Sequence, residues 1–309
     1  MKKLIVITGP TGVGKTELCL SVAERYGIDI INADSRQIYK EIPIGTAAPT
    51  EEQKQRVRHH FVATKSIDDY YSASMYESDV LALLEGDDAP IALMTGGSMM
   101  YIDAVCNGID DIPTIREDVR QTMKVRLEAE GLPALLKELE IRDPEYYRIV
   151  DKNNTRRVVH ALEICQQSGR SYTSYRTGQK KPRPFEVIKI GLTRDKIAKV
   201  KRGQVIHDHS ELYERINARV GQMVASGLVE EARKVLPKRG CNALNTVGYK
   251  EMFSYFDGQI SMEEAIRQIQ SNSREYARKQ LTWFRKDKEI TWFHPDNIVD
   301  IIKHIDANL

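Results

Sequence analysis

Gly9-Pro10-Thr11-Gly12-Val13-Gly14-Lys15-Thr16 is the stretch that decides the fold. It fits the G-x-x-x-x-G-K-[ST] pattern of phosphate-binding loops, and its flanks suit that role. Upstream, Leu4-Ile5-Val6-Ile7-Thr8 is a short apolar, β-branched run that reads as a buried parallel strand. Downstream, Leu18, Val22 and Tyr26 recur at i, i+4 and i+8, as on one face of a helix. The glycines let successive backbone N–H groups turn inward around an anion, and the new helix adds its positive dipole end. Lys15 then brings a point charge to the outer phosphates, and the Thr16 hydroxyl can hold Mg²⁺. A glycine turn without a ligand is the alternative. The flanking strand and helix favour a bound di- or triphosphate.

A chain of 309 residues, 41% hydrophobic and 29% charged, can bury a sizeable core and is not a disordered protein. Cys19, Cys106, Cys165 and Cys241 are scattered without C-x-x-C spacing, which suggests neither zinc nor a disulfide framework. No apolar run approaches the roughly 18 residues of a membrane span, and the N-terminus enters the first strand without a signal peptide. A cytoplasmic, monomeric enzyme with no membrane partner is expected.

A second strand, Ile28-Asp29-Ile30-Ile31-Asn32-Ala33, delivers Asp34-Ser35 at its carboxyl end. Ligands of open α/β sheets bind there, so Asp34 should face the phosphate site; a local turn cap is its other reading. His59-His60 has no third ligand at metal spacing and reads as structural. A further strand, Pro90-Ile91-Ala92-Leu93-Met94, ends in Thr95-Gly96-Gly97-Ser98. Ser98 reads equally well as a hydroxyl donor in the crevice or as the N-cap of the next helix. From residue 116 to about 183 the pattern is helical, and residues 185–192 look like a strand rejoining the sheet. The last third is again mostly helical. Leu212, Ile216, Val220 and Met223 keep helical spacing, and Ser261 with Glu264 starts a helix running through Met262, Ile266, Ile269, Tyr276 and Trp283, a stripe read as core. Between Arg267 and Lys288 seven Lys/Arg stand against two acids, the profile of a nucleic-acid surface or of a solvated basic face.

The fold class is therefore α/β: a P-loop NTPase-like parallel sheet flanked by helices, with a largely helical C-terminal part. Residues 1–115 and 185–309 form the core domain, and residues 116–184 a helical insertion domain. Nucleotide-hydrolysing motors need an acid at the end of an apolar strand beside the loop. Here the strand after residue 90 ends in Thr-Gly-Gly, and the prominent acid is Asp34. That arrangement suits a transferase whose acceptor loses a proton to Asp34. A nucleotide or small-metabolite kinase with residues 116–183 as its lid, and a non-catalytic RNA-binding nucleotide switch, are the rival readings.

The ordered motifs resemble those of the tRNA dimethylallyltransferases. They are residues 9–16, Asp34-Ser-Arg-Gln-Ile-Tyr-Lys40, Ile44-Gly-Thr-Ala-Ala-Pro49 and Gly96-Gly-Ser-Met-Met-Tyr101. Arg156-Arg157 with Ala161-Leu-Glu163, Met223-Val-Ala-Ser-Gly-Leu228, Val247-Gly-Tyr-Lys250 and Ala277-Arg-Lys-Gln-Leu-Thr-Trp-Phe-Arg285 complete the series. The resemblance spans nearly the whole chain and is bacterial in type. It implies transfer of a dimethylallyl group from dimethylallyl diphosphate to N6 of the adenosine 3′ of the anticodon in tRNA. Gly9, Pro10, Thr11, Gly12, Val13, Gly14, Lys15 and Thr16 would cradle the diphosphate, with Mg²⁺ on Thr16. Lys15 and Arg219 would neutralise the leaving group, Ser98 would donate to its bridging oxygen, and Asp34 would take the amine proton. The resemblance puts Asp34, Ser35, Arg36, Gln37, Ser98, Arg120, Arg157, Val247, Gly248, Tyr249, Lys250, Arg278, Lys279 and Arg285 along the tRNA. Three positions depart from the family's habit: Ala48 for Lys, Ser98 for Thr, and Asn245-Thr246 before Val247.

Overall fold

Leu4, Ile5, Val6 and Ile7 are almost wholly excluded from solvent, on the strand β1 (Lys2–Thr8). Alternate side chains of this strand feed two different cores: Leu4 and Val6 one, Ile5 and Ile7 the other. A strand buried on both faces needs an unbroken apolar run, which is what the sequence has. In chain order there follow α1 (Lys15–Tyr26), β2 (Ile30–Asn32), α2 (Glu51–Arg56), β3 (His59–His60), α3 (Ala73–Glu85), β4 (Ile91–Gly96) and α4 (Met99–Asn107). Then come α5 (Glu117–Arg142), α6 (Pro144–Ile149), α7 (Thr155–Ser168), β5 (Phe185–Leu192), β6 (Lys196–Lys201), β7 (Gln204–Asp208) and α8 (Ser210–Ala225). The chain closes with α9 (Leu228–Val235), α10 (Tyr249–Phe256), α11 (Met262–Phe284), β8 (Thr291–Phe293) and α12 (Ile298–Asp306). The computed structural model describes residues 1–201 and 204–309, with side chains outside residues 197–206.

The sheet runs β3-β2-β4-β1-β5-β8, with every neighbouring pair parallel. Thr8 at the end of β1 lies level with Gly96 on β4 and Gly191 on β5, so the loop at residue 9 and the turn at residue 97 leave the sheet side by side. β2 is shorter than the six-residue run expected. Gly27 closes α1 in the left-handed region (φ 62°) and the Ile28 N–H still bonds the Ala23 carbonyl, so the chain joins the sheet only at Ile30.

Two compact units are formed, Met1–Cys106 with Arg183–Leu309, and Asn107–Pro182. The second holds α5 to α7 around its own core of Met123, Leu135, Leu139, Tyr146, Val158 and Leu162. α5 is broken at Gly131 (φ 76°), two residues before Pro133. Asp143, buried, caps α6 through the Tyr146 N–H and also accepts from the Thr173 N–H and hydroxyl.

Two expectations in the C-terminal part need correction. β6 and β7 pair as an antiparallel hairpin where no strand was read. On α11, Tyr276 and Trp283 are not core residues: each is 38% exposed. The buried face is instead Ala265, Ile269, Ser273, Ala277, Gln280, Leu281 and Phe284, a nearly continuous i, i+4 stripe.

Candidate active site

Gly14 takes φ 108° as the residue before α1, a conformation that strains any residue with a Cβ, and it sets Lys15 as the first helical residue. The N–H groups of that first turn have no intrahelical partner. The Lys15 ammonium folds over the loop, donating to the carbonyls of Gly9 (2.8 Å) and Pro10 (2.9 Å). Arg219 reaches in from α8 and donates Nη2 to the Thr11 hydroxyl at 2.5 Å; its Nε is buried without a partner. Burial and the Arg219 charge bring the Lys15 pKa down to about 8, with Asp34 opposing them. Two cations crowded at a helix N-terminus, one with an orphaned N–H, make a site that an anion relieves. Thr16 is exposed at its mouth.

The loop is braced by groups that the sequence reading did not single out. Arg194, buried, donates Nε to the Val13 carbonyl (2.8 Å) while its two other nitrogens bind Glu211 (2.5 Å) and Asp296 (2.8 Å). Arg215 donates to the Gly12 carbonyl at 3.1 Å. It precedes Arg219 by one helical turn, a spacing visible in the sequence that by itself gives Arg215 no role. Gln280 of α11 accepts the Thr11 N–H.

Beside the loop, the ends of β2 and β4 meet. A Cβ on Gly96 would lie 2.2 Å from the Ala33 carbonyl, so only glycine allows this approach. Asp34 Oδ1 accepts the N–H groups of Arg36 (2.9 Å) and Gln37 (3.4 Å), an Asx-type turn that fixes the carboxylate. The capping reading and the site-facing reading of Asp34 are thus compatible. Its charge is felt by Lys15, Arg219 and Tyr276; the Tyr276 residue is part-exposed, yet desolvation of its phenol and the Asp34 charge push that group up to about 12. Ser98 is buried; its Oγ accepts the Ser35 N–H at 2.7 Å and donates to the Ser35 hydroxyl at 3.0 Å. The Ser98 carbonyl opens α4, but the hydroxyl ties the β4 turn to the Asp34 turn. Gln37 spans to the carbonyls of Thr46 and Ala47, and Arg36 to that of Asn242.

The residues placed along RNA by resemblance divide. Lys250, Arg278 and Lys279 are exposed, Lys279 paired with Glu275 (2.7 Å). Arg278 and Lys279 line an open groove with Met99, Trp283 and Lys286. Val247 is half-buried and Gly248 buried. Tyr249 is corrected: it is fully buried, and its hydroxyl donates to Glu231 (2.6 Å), which also accepts the Ile44 and Gly45 N–H groups. It builds the loop from residue 44 and offers no surface to a ligand. Arg285 is half-buried and bound to Asp195 at 2.5 Å; Asp195 also holds His209. Arg120 and Arg157 belong to the Asn107–Pro182 unit, Arg157 exposed in the first turn of α7.

Residues 37–287 match the family model described as IPP transferase. The chain belongs to this family. A tRNA dimethylallyltransferase 1 of Phocaeicola vulgatus is 57% identical over 304 residues, covering 98% of this chain and 97% of its own. A tRNA dimethylallyltransferase 2 of Parabacteroides distasonis is 53% identical over 311 residues, covering the whole of both. The solved full-length tRNA isopentenylpyrophosphate transferase of Bacillus halodurans is 34% identical with a TM-score of 0.67, over 99% of this chain and 96% of its own. In this IPP transferase the Asp34 carboxylate acts on both Lys15 and Arg219, favouring their charged forms.

Proposed function

We propose that this chain transfers the dimethylallyl group of dimethylallyl diphosphate to N6 of the adenosine 3′ of the anticodon in tRNA, releasing diphosphate. The observation that carries the reading is the orphaned Arg219 Nε beside Lys15 and the first-turn amides of α1, next to a carboxylate fixed at one oxygen only by backbone. In this reading the loop holds the diphosphate. The N6 amine attacks the allylic carbon, the C–O bond breaks, and the electron pair leaves on the diphosphate. Lys15 and Arg219 stabilise that growing charge. Asp34 takes the amine proton through the oxygen that does not close its turn. The amine lone pair is delocalised into the adenine ring, so orientation and base act together. Ser98, turning its hydroxyl from Ser35, donates to the bridging oxygen.

Mg²⁺ fits the donor set: a hard cation that keeps several waters and binds through substrate phosphates needs little from the protein, and the exposed Thr16 hydroxyl supplies it. Among the described residues no cluster of three acids, histidines or cysteines offers an all-protein metal site. When bound, Mg²⁺ would neutralise part of the diphosphate charge. Ser35, Arg36, Gln37, Val247, Gly248, Lys250, Arg278, Lys279 and Arg285 are assigned to tRNA, together with Arg120 and Arg157 of a helical insertion domain over residues 116–184. An adenine must leave its stack to reach Asp34, which favours a single-stranded loop. A monomer is proposed as the working form, because the loop, Lys15 and Arg219 of a single chain build the anion site. No helix among the described residues is long and apolar enough to cross a membrane. The proposed tRNA substrate supports a cytoplasmic enzyme. Mass spectrometry of tRNA incubated with pure protein, Mg²⁺ and dimethylallyl diphosphate tests the reading; an unmodified tRNA alongside ATP-dependent phosphorylation of a small acceptor would replace it with the kinase reading.

A further inference from the structure

Gln280 is 2% exposed, and its amide bonds to backbone on both sides of the site. Oε1 accepts the Thr11 N–H at 2.8 Å, and Nε2 donates to the Gly97 carbonyl at 2.8 Å. These partners fix the amide orientation, because an N–H needs an oxygen and a carbonyl needs an N–H. A Cβ on Gly97 would lie 2.4 Å from Nε2, so the residue after β4 has no side chain where the amide enters. The neighbours of Gln280 on the buried face of α11 are Ala277, Leu281 and Phe284. Packing alone asks for an apolar residue in that company, since a buried amide is costly unless both of its ends are bonded.

The two bonds reach the two halves of the site. Thr11 lies in the diphosphate loop, and its hydroxyl accepts from Arg219. Gly97 directly precedes Ser98, which holds Ser35 and through it the Asp34 turn. We propose that Gln280 is a positioning residue that sets the register between the diphosphate loop and the acceptor turn. It touches no reacting atom. This rests on the prenyl-transfer reading above, in which leaving group and nucleophile lie on opposite sides of the bridge, and small displacements between reacting groups change rates steeply. Arg278 and Lys279 are exposed on the same helical turn, so RNA bound to the outer face of α11 would be linked to this bridge through the helix.

Two substitutions in the full chain test the proposal, with Mg²⁺ present. Gln280→Met keeps length and removes both bonds. Gln280→Glu keeps an acceptor for Thr11 and can donate to Gly97 only when protonated. Gln280→Met should bind dimethylallyl diphosphate within about threefold of the parent by titration calorimetry without tRNA, yet lose about 30–300-fold in single-turnover transfer at saturation. Combined with Ser98→Ala, the losses should multiply to less than their product, because both act on the Gly97–Ser98 turn. The Gln280→Glu rate relative to the parent should rise as pH falls from about 8 to about 6, as the carboxyl regains its proton. A Gln280→Met protein that transfers at the parental rate, or losses that multiply fully, would overturn the proposal alone. If Gln280→Met does not fold, a flat relative pH profile for Gln280→Glu overturns it. A parent that leaves tRNA unmodified overturns the underlying reading and the proposal together.

Discussion

Lys15 is pulled in two directions, lowered to about 8 by burial and Arg219 while Asp34 favours its charged form. Below pH 8 it is protonated and attracts diphosphate; above pH 8 the free enzyme loses that charge. Donor affinity measured by calorimetry should therefore fall as pH rises through about 8, by up to tenfold per unit, and the step should vanish in Lys15→Met. Stability runs the other way: the unfolded lysine holds its proton to higher pH, so folding gains as pH rises from about 8 toward the ordinary lysine value of 10.5. Asp34 permits a cleaner separation than removal of the whole side chain. Asp34→Asn keeps an oxygen for the Arg36 and Gln37 N–H groups but cannot take a proton, so single-turnover transfer should drop about 10²–10⁴-fold at nearly parental melting temperature. Loss of less than tenfold would make Asp34 a turn residue only. Ser98→Ala strands the Ser35 N–H, which should cost about 1–3 kcal/mol of stability as well as rate, whereas Ser98→Thr keeps both.

At the scale of elements, α11 has two faces with different duties. Arg278 stands exposed on its outer face, Lys279 is exposed but paired with Glu275, and Arg285, just past its end, is tied to Asp195. Plots of log Kd for tRNA against log[salt] should lose about one unit of slope in Arg278→Gln. Arg285→Gln should change the slope less and lower the melting temperature more, because Asp195 is left buried without that partner. A salt-independent affinity would make the face a solvated one. The loop, β1 and α1 could be read from the sequence because every signal sits within about thirty residues and follows a fixed period. The braces could not. Gln280 meets Thr11 across 269 residues, Glu231 meets Ile44 across 187, and Arg194 meets Val13 across 181. No local pattern marks such a residue as facing a backbone group rather than water. Tyr276 and Trp283 were misread for a related reason: apolar spacing names a stripe, but the buried stripe here runs through small and polar residues beside it.

For the whole molecule, donor binding to the folded form alone should raise stability by about 2.7 kcal/mol at 100 times Kd, read as a rise in melting temperature with dimethylallyl diphosphate but not with dimethylallyl alcohol. The strand order has a consequence for synthesis. β1 is made well before its neighbour β5, which lies some 180 residues later, β8 closes the sheet edge later still, and Asp306 of α12 accepts from Arg25 and Tyr26 of α1. Residues 107–182 hold a core of their own and can condense as soon as they leave the ribosome, while β1, already able to pair with β4, still lacks β5 on its other side. The loop at residues 9–16, translated before β5, therefore takes its working shape late, and a nascent chain stopped before β5 has no β1–β5 pairing on which to set it.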